Sequence, residues 1–222
     1  MMDDQLIKIL SKECKIKAEE IEEKLQKNAL QYVIYFNYEE KYEGVKITIS
    51  GDYKFIRLKP FSRISFRKVF LADSLLDSKV KMNAEGKGEV KVRDLGNLKK
   101  EVEIEFNCKG KEMEVYELEF EVTLTNSLPR EKYLQAHEKL YGDKRLFSIN
   151  FNATQSPIIK YSHLLQFSGL KDAIAIEAKY LNKTGFPEKF KVLEKLKIKG
   201  NATTSFSIDF PDFGYVGIIY EV

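Results

Sequence analysis

The sequence of 222 residues contains only two cysteines, Cys14 and Cys108, and they lie in widely separated segments. It has no apolar run near the roughly 20 residues that a membrane span requires. Its first residues, Met1-Met2-Asp3-Asp4-Gln5, are acidic and lack the basic start and apolar core of a signal peptide. We therefore expect a cytoplasmic protein without a membrane span, in which both thiols are reduced and buried.

Several motifs with well-understood chemistry are also absent from the sequence. It has no Walker loop, no G-x-G-x-x-G turn, no cysteine and histidine set with zinc-ligand spacing, and no nucleophile elbow. These absences argue against most nucleotide-dependent enzymes, and we predict neither a cofactor nor a bound metal. The formal net charge is only +3, so the charge of the whole molecule indicates no class of partner.

The stretch from Lys99 to Thr125 consists of two runs in which apolar and polar residues alternate. Side chains on a strand alternate between two faces, so this pattern predicts two strands, and Gly110 between them predicts a β-hairpin. In that hairpin the residues directly opposed would be Glu101, Glu103 and Glu105 on one strand and Glu117, Glu119 and Glu121 on the other. Opposed like charges are unfavourable, so we expect basic residues nearby, with Lys91 and Arg93 on a neighbouring strand as candidates.

Similar alternating patterns separated by short turns recur from residue 30 to the end of the chain. They predict an α+β fold with a mainly antiparallel sheet system, sandwich-like or twisted. Helical spacing of apolar residues predicts two short helices between Asp3 and Lys27, a helix over Pro129–Tyr141 and a short helix after Pro187. We divide the chain into an N-terminal helical hairpin, residues 1–29, and a mainly antiparallel β domain, residues 30–222.

The stretch Tyr53–Lys68 is rich in both basic and aromatic residues and contains no acidic residue. Single-stranded nucleic acid is bound by lysines and arginines that follow the phosphates and by rings that stack on the bases. We therefore predict a non-catalytic nucleic-acid-binding protein or a subunit of a nucleoprotein complex that contacts single strands or RNA. The predicted contact residues are Tyr53, Lys54, Phe55, Arg57, Lys59, Phe61, Arg63, Phe66, Arg67 and Lys68. In the competing interpretation, the rings belong to the core and the cations form a solvated face.

Two other functions fit parts of the sequence. The first is an oligomeric assembly subunit, in which the acidic ladder of one protomer meets the basic stretch of another. The second is a Mg²⁺-dependent nuclease, because Glu177 and Lys179 match the E-x-K half of the restriction-endonuclease-like signature. An acid on an adjacent upstream strand, which that signature also requires, is missing. His163 is a further candidate, since an imidazole can move the 2′-hydroxyl proton in metal-independent RNA cleavage.

Overall fold

The structure, a computed structural model, describes residues 2–222, with side chains from residue 4 onward. Its helices are α1 (Met2–Cys14), α2 (Ala18–Lys24) and α3 (Arg130–Tyr141). Its strands are β1 (Gln31–Glu43), β2 (Lys46–Arg57), β3 (Phe61–Leu71), β4 (Ser74–Met82), β5 (Gly86–Gly96), β6 (Lys99–Gly110), β7 (Val115–Thr125), β8 (Leu146–Asn152), β9 (Ile158–Phe167), β10 (Asp172–Ala178), β11 (Phe190–Lys195), β12 (Thr203–Asp209) and β13 (Gly214–Glu221). Within these residues no helix is both long and apolar enough to cross a membrane.

The strands form three sheets. The six-stranded sheet has the order β12-β9-β1-β2-β7-β4, the four-stranded sheet has the order β11-β10-β13-β8, and the three-stranded sheet has the order β3-β6-β5. The pairing of β1 with β9 is parallel, and the other pairings are antiparallel. Among the described strands, β3 and β8 each end a sheet and have one edge without a partner strand, as do β4, β5, β11 and β12.

Both smaller sheets pack on the same face of the six-stranded sheet. Phe36 of β1 and Tyr161 of β9 are paired neighbours on that face. The Phe36 ring contacts the ring of Phe66 in the three-stranded sheet, with centroids 5.6 Å apart. The Tyr161 hydroxyl accepts a 2.7 Å hydrogen bond from Asn150 in the four-stranded sheet. The two smaller sheets therefore lie side by side over β1 and β9.

Helices α1 and α2 cover part of the opposite face of the six-stranded sheet. Leu6 and Leu10 are spaced one helical turn apart, so both point to the same side of α1. They form a buried cluster with Ile21 of α2 and with Ile34 and Ile159 of the sheet. Burial of this apolar face, rather than helix propensity, stabilises two helices of only 13 and 7 residues.

The predicted hairpin between β6 and β7 is wrong. Strand β6 is paired with β3 and β5, whereas β7 is paired with β2 and β4 in a different sheet. Glu103 therefore lies between Arg67 and Lys91 rather than opposite another glutamate. The expectation of basic neighbours on the strand that carries Lys91 and Arg93 is confirmed. Strand β6 carries the carboxylates, and the two strands beside it carry the cations.

The α+β assignment is also wrong, because the chain is mostly β, with 59% of it in strands and 14% in helices. The segment after Pro187 forms strand β11 instead of a helix, since Phe190 pairs with Ala178 of β10. The prediction of a helix near Pro129 is confirmed. Pro129 precedes α3, and Gly142 ends it in the left-handed conformation at φ 70°.

Candidate functional site

The rings of the basic and aromatic stretch lie in the core between the sheets. Phe55 is fully buried and Phe61 is 8% exposed. Phe66 stacks on Phe120 of the six-stranded sheet with the ring centroids 5.3 Å apart, and Tyr53 contacts Phe36 at 5.5 Å. Stacking on bases needs an accessible ring face. The arrangement of these rings matches the competing interpretation, in which they belong to the core.

Most cations of the same stretch are paired with carboxylates of this chain. Lys54 contacts Glu13 and Glu117, each at 2.8 Å. The other pairs are Arg63 with Glu105 at 2.9 Å, Arg67 with Glu103 at 2.5 Å, and Lys68 with Glu40 at 2.5 Å. Lys59 is exposed. Pairing reduces the charge that these side chains can offer to phosphates, although the side chains of Arg63 and Arg67 are 55% and 56% exposed.

The residues suggested for catalysis do not form one site, because His163 lies on β9 of the six-stranded sheet, whereas Glu177 and Lys179 lie on and just after β10 of the four-stranded sheet. The Glu177 carboxylate accepts hydrogen bonds from the Asp212 backbone N–H at 2.7 Å and from Lys191 at 3.2 Å. Lys179 follows the end of β10 and is exposed. His163 is 1% exposed and lies in the core. Throughout the part of the chain that the structure describes, no three His, Cys, Asp or Glu side chains are placed to share a metal ion.

A cleft of about 850 Å³ is lined by residues of both smaller sheets. One wall is β3, from Arg63 to Leu71, and the other includes Phe147, Ile149 and Phe151 of β8. Each of these two strands ends its sheet, so each has an outer edge without a partner strand among the described residues. Side chains of α3 also contribute to the wall. The volume lies within the range of ligand-binding clefts in proteins.

Glu40, which also lines this cleft, is buried and ionised at the junction of the sheets. Its carboxylate accepts hydrogen bonds from Lys68 at 2.5 Å, from the Tyr38 hydroxyl at 2.6 Å and from the Tyr42 hydroxyl at 3.1 Å. Burial acts to raise the Glu40 pKa, but the Lys68 ammonium and the hydrogen bonds keep that pKa below its ordinary value. This side-chain network holds β1 and β3 together at the cleft.

A chain of hydrogen bonds continues from Lys68 into the four-stranded sheet. Lys68 donates to Ser148 Oγ at 3.3 Å, and this oxygen lies 2.9 Å from Nε2 of His163. The other ring nitrogen of His163 lies 2.8 Å from the Tyr161 hydroxyl, which accepts a hydrogen bond from Asn150. Burial lowers the His163 pKa to about 3, so the imidazole is neutral at pH 7. His163 therefore has a structural position in this network.

Three buried polar atoms of the described side chains have no hydrogen-bond partner, and all three belong to residues that line the cleft. They are Nε of Arg57, Nδ1 of His137 and Oδ1 of Asn150. Unpaired buried polar atoms are rare, because each costs about 1–3 kcal/mol. The three atoms are themselves buried, and they belong to three different elements, β2, α3 and β8, that contribute to the same cleft.

The sequence contained a signal for this site that the prediction did not use. Ile64, Phe66, Lys68 and Phe70 share one face of β3, so Lys68 stands at an apolar position of the alternation. Glu40 likewise occupies an apolar position of the alternation, on the face of β1 that carries Phe36 and Tyr38. A charged residue at a core position in each of two strands predicts a buried ion pair. The positions of His137 and Asn150 gave no comparable signal.

Comparisons with known proteins identify no family. No protein-family model and no curated protein matches the chain. Among solved structures, the M1 zinc metallopeptidase from Deinococcus radiodurans is 11% identical over 86% of this chain and 42% of its own, with a TM-score of 0.41. A mutant of that enzyme with a bound Tyr-Ser-Ala substrate is 10% identical over 88% of this chain and 43% of its own, with a TM-score of 0.41.

The chain thus spans less than half the length of the metallopeptidase structures that it matches. At this level of similarity the comparisons establish neither a shared fold nor a shared activity.

Proposed function

We propose that the protein is a non-catalytic binding protein whose cleft holds an extended segment of a partner polypeptide. The observation that supports this proposal is that two strand edges without partners, those of β3 and β8, line one cleft. An extended peptide can add to such an edge through main-chain hydrogen bonds. The seven residues of β8 rise about 3.3 Å each, so its edge of about 23 Å suits a short extended segment.

The rim of the cleft includes exposed apolar residues beside exposed polar ones such as Arg63 and Arg67, and the apolar residues favour a polypeptide partner. Val69, Leu95 and Phe151 line it and are 43%, 43% and 59% exposed. Asn150 Oδ1 is an acceptor without a hydrogen-bond partner in a residue that lines the cleft, and N–H or O–H groups are the donors that match it. A polypeptide offers backbone N–H groups and apolar side chains together, whereas the backbone phosphates of a nucleic acid offer acceptors and negative charge.

The earlier alternatives are less well supported by the same residues. For nucleic-acid binding, the rings that would stack on bases lie in the core, and most of the cations that would contact phosphates are in ion pairs. Arg57 is an exception, because no carboxylate among the described residues acts on it. For assembly through an acidic ladder, the predicted row of opposed glutamates does not form, because β6 lies between two basic strands. Nuclease activity through Glu177 and Lys179 has no cluster of acids beside it among the described residues.

Binding can be tested by panning the full chain against a displayed library of random heptapeptides and measuring the selected peptides by fluorescence anisotropy. The test variant is Val69→Asp, which places a charge on the rim of the cleft. The matched control is Val192→Asp, because Val192 is also an exposed valine on an edge strand, 52% exposed, but lies outside the cleft. Single-stranded oligothymidylate and oligouridylate serve as competing probes.

The proposal predicts peptides that bind the wild type and the Val192→Asp variant equally, and bind Val69→Asp at least about tenfold more weakly. Peptides that bind both variants alike would place the site elsewhere. Oligonucleotide binding that weakens steeply with salt, with no selected peptide, would replace this proposal with nucleic-acid binding.

A further inference from the structure

Arg57 differs in its surroundings from the paired cations of the same stretch. It is the last residue of β2, it is half-buried, and it lines the cleft. Its guanidinium carbon lies 5.0 Å from the centre of the Phe61 ring, and Nη1 donates a 3.0 Å hydrogen bond to Oε1 of Gln31. No carboxylate among the residues that the structure describes acts on it.

Gln31 supplies Arg57 with a neutral acceptor instead of a counter-charge. The amide nitrogen of Gln31 donates to the Tyr53 hydroxyl at 2.7 Å and to Ser156 Oγ, so its oxygen faces Arg57. Gln31 is 7% exposed and its orientation is fixed by these contacts. The arrangement holds the guanidinium in place, leaves Nε without a partner and leaves the positive charge uncompensated.

We infer that Arg57 binds a carboxylate of the partner segment at one end of the cleft. This inference rests on the proposed peptide-binding function and adds the chemical class that the segment must present. A guanidinium presents two parallel N–H groups that match the two oxygens of a carboxylate. The Phe61 ring restricts the guanidinium plane, which reduces the ordering cost of binding. A half-buried cation without a counter-charge gains more from such a ligand than an exposed one.

The carboxylate has two possible sources in a peptide, the C-terminus and an Asp or Glu side chain. The test uses one peptide selected on the wild type, synthesised in three forms: with a free C-terminus, with a C-terminal amide, and with each acidic side chain replaced by its amide. Each form is titrated against the wild type, Arg57→Gln and Arg93→Gln. Arg93 is the matched control, because its side chain is 69% exposed and it lies outside the cleft.

The inference predicts that removal of one of the two kinds of carboxylate weakens binding to the wild type and to Arg93→Gln by at least about tenfold. The same removal should change binding to Arg57→Gln by no more than about twofold, as expected when both partners of one contact are absent. The form that loses affinity identifies the source of the carboxylate.

The inference is overturned if Arg57→Gln binds the acidic peptide as well as the wild type does, or still distinguishes the three forms. Peptide binding that depends on Val69 but not on Arg57 would remove this inference alone and leave the proposed function. Absence of any peptide ligand, or an oligonucleotide ligand held by Arg57, would remove both. If Arg57→Gln does not fold, Arg57→Lys is used, since it keeps the charge but not the paired N–H geometry, and the same carboxylate should again show reduced discrimination.

Discussion

The Nζ atom of Lys68 lies 2.5 Å from Oε1 of Glu40, in a part of the core where Glu40 is only 1% exposed. Burial lowers the pKa of the Lys68 ammonium, and the Glu40 carboxylate opposes that shift. The two residues belong to β3 and β1, so the ion pair connects the three-stranded sheet to the six-stranded sheet. Both residues also line the cleft, where their opposite charges cancel.

Glu40→Gln should destabilise the fold strongly, because it leaves the buried Lys68 ammonium without a counter-charge. We expect the free energy of unfolding to fall by about 3–5 kcal/mol. The double variant Glu40→Gln with Lys68→Met removes both charges and should be less destabilised than the sum of the two single variants. Urea unfolding of the four proteins measures this coupling. A loss below about 1 kcal/mol for Glu40→Gln would show that the pair is solvated.

The two histidines should make the protein less stable in acid. Burial lowers the pKa of His137 to about 4 and that of His163 to about 3, whereas an unfolded histidine titrates near pH 6.5. The unfolded chain therefore binds more protons below about pH 6.5, so stability falls as the pH falls through that range. Each histidine should contribute a loss of about 3 kcal/mol between pH 7 and pH 4.

The same property can be measured directly by proton NMR of the histidine ring resonances. The chain has two histidines, so its two Hε1 resonances report the two sites. Neither should show a titration midpoint between pH 5.5 and pH 7.5, a window set by the ordinary value of about 6.5. A midpoint near pH 6.5 for either ring would mean that it is exposed to water.

Gly51→Ala should disturb the core through a contact with one ring. A Cβ atom at Gly51 would lie 2.3 Å from Cζ of Phe120, which is opposite it on β7. Overpacking of this kind costs about 1–3 kcal/mol. The double variant Gly51→Ala with Phe120→Leu should recover part of that loss. The control is Ser50→Ala on the other face of β2, which should change the free energy of unfolding by no more than about 0.5 kcal/mol. Equal midpoints of thermal unfolding for Gly51→Ala and Ser50→Ala would show that the expected clash with Phe120 does not occur.

The strand order can be tested by disulfide formation. Arg67 and Glu103 are directly opposed on β3 and β6, so the variant with cysteine at both positions should form a disulfide on oxidation. Cysteines at Glu103 and Glu119 should not, because these residues lie in different sheets. The native thiols of Cys14 and Cys108 are buried and free, so both should remain unreactive in the folded protein. A disulfide between positions 103 and 119, with none between positions 67 and 103, would support the hairpin of β6 with β7 instead.

Local patterns predicted individual strands and α3 better than they predicted which strands are neighbours. Alternation identifies the two faces of β6 and β7, but it contains no information about pairing. The short turn at Gly110 favours a hairpin, yet the chain turns through Met113 at φ 59° and enters the six-stranded sheet at Val115. The pairing of β6 with two basic strands places its carboxylates beside cations, a preference that the alternation of apolar and polar residues does not contain.

The candidate site was less predictable than the fold. The sequence draws attention to Tyr53–Lys68, and six of its ten predicted residues do line the cleft, namely Tyr53, Arg57, Arg63, Phe66, Arg67 and Lys68. Which cation lacks a carboxylate depends on partners distant in sequence, such as Glu40, Glu103 and Glu105. The unpaired atoms of His137 and Asn150 likewise result from tertiary packing.

Hydrogen exchange of the full chain, with and without a selected heptapeptide, tests the central claim most directly. The backbone N–H groups of β3 and β8 that point away from β6 and β13 have no partner strand and should exchange fast in the free protein. With peptide bound, exchange should slow in residues 63–69 and 147–151 and remain unchanged in β11, the edge strand that carries Val192. Unchanged exchange in both cleft strands at saturating peptide would contradict the claim that the partner segment lies between them.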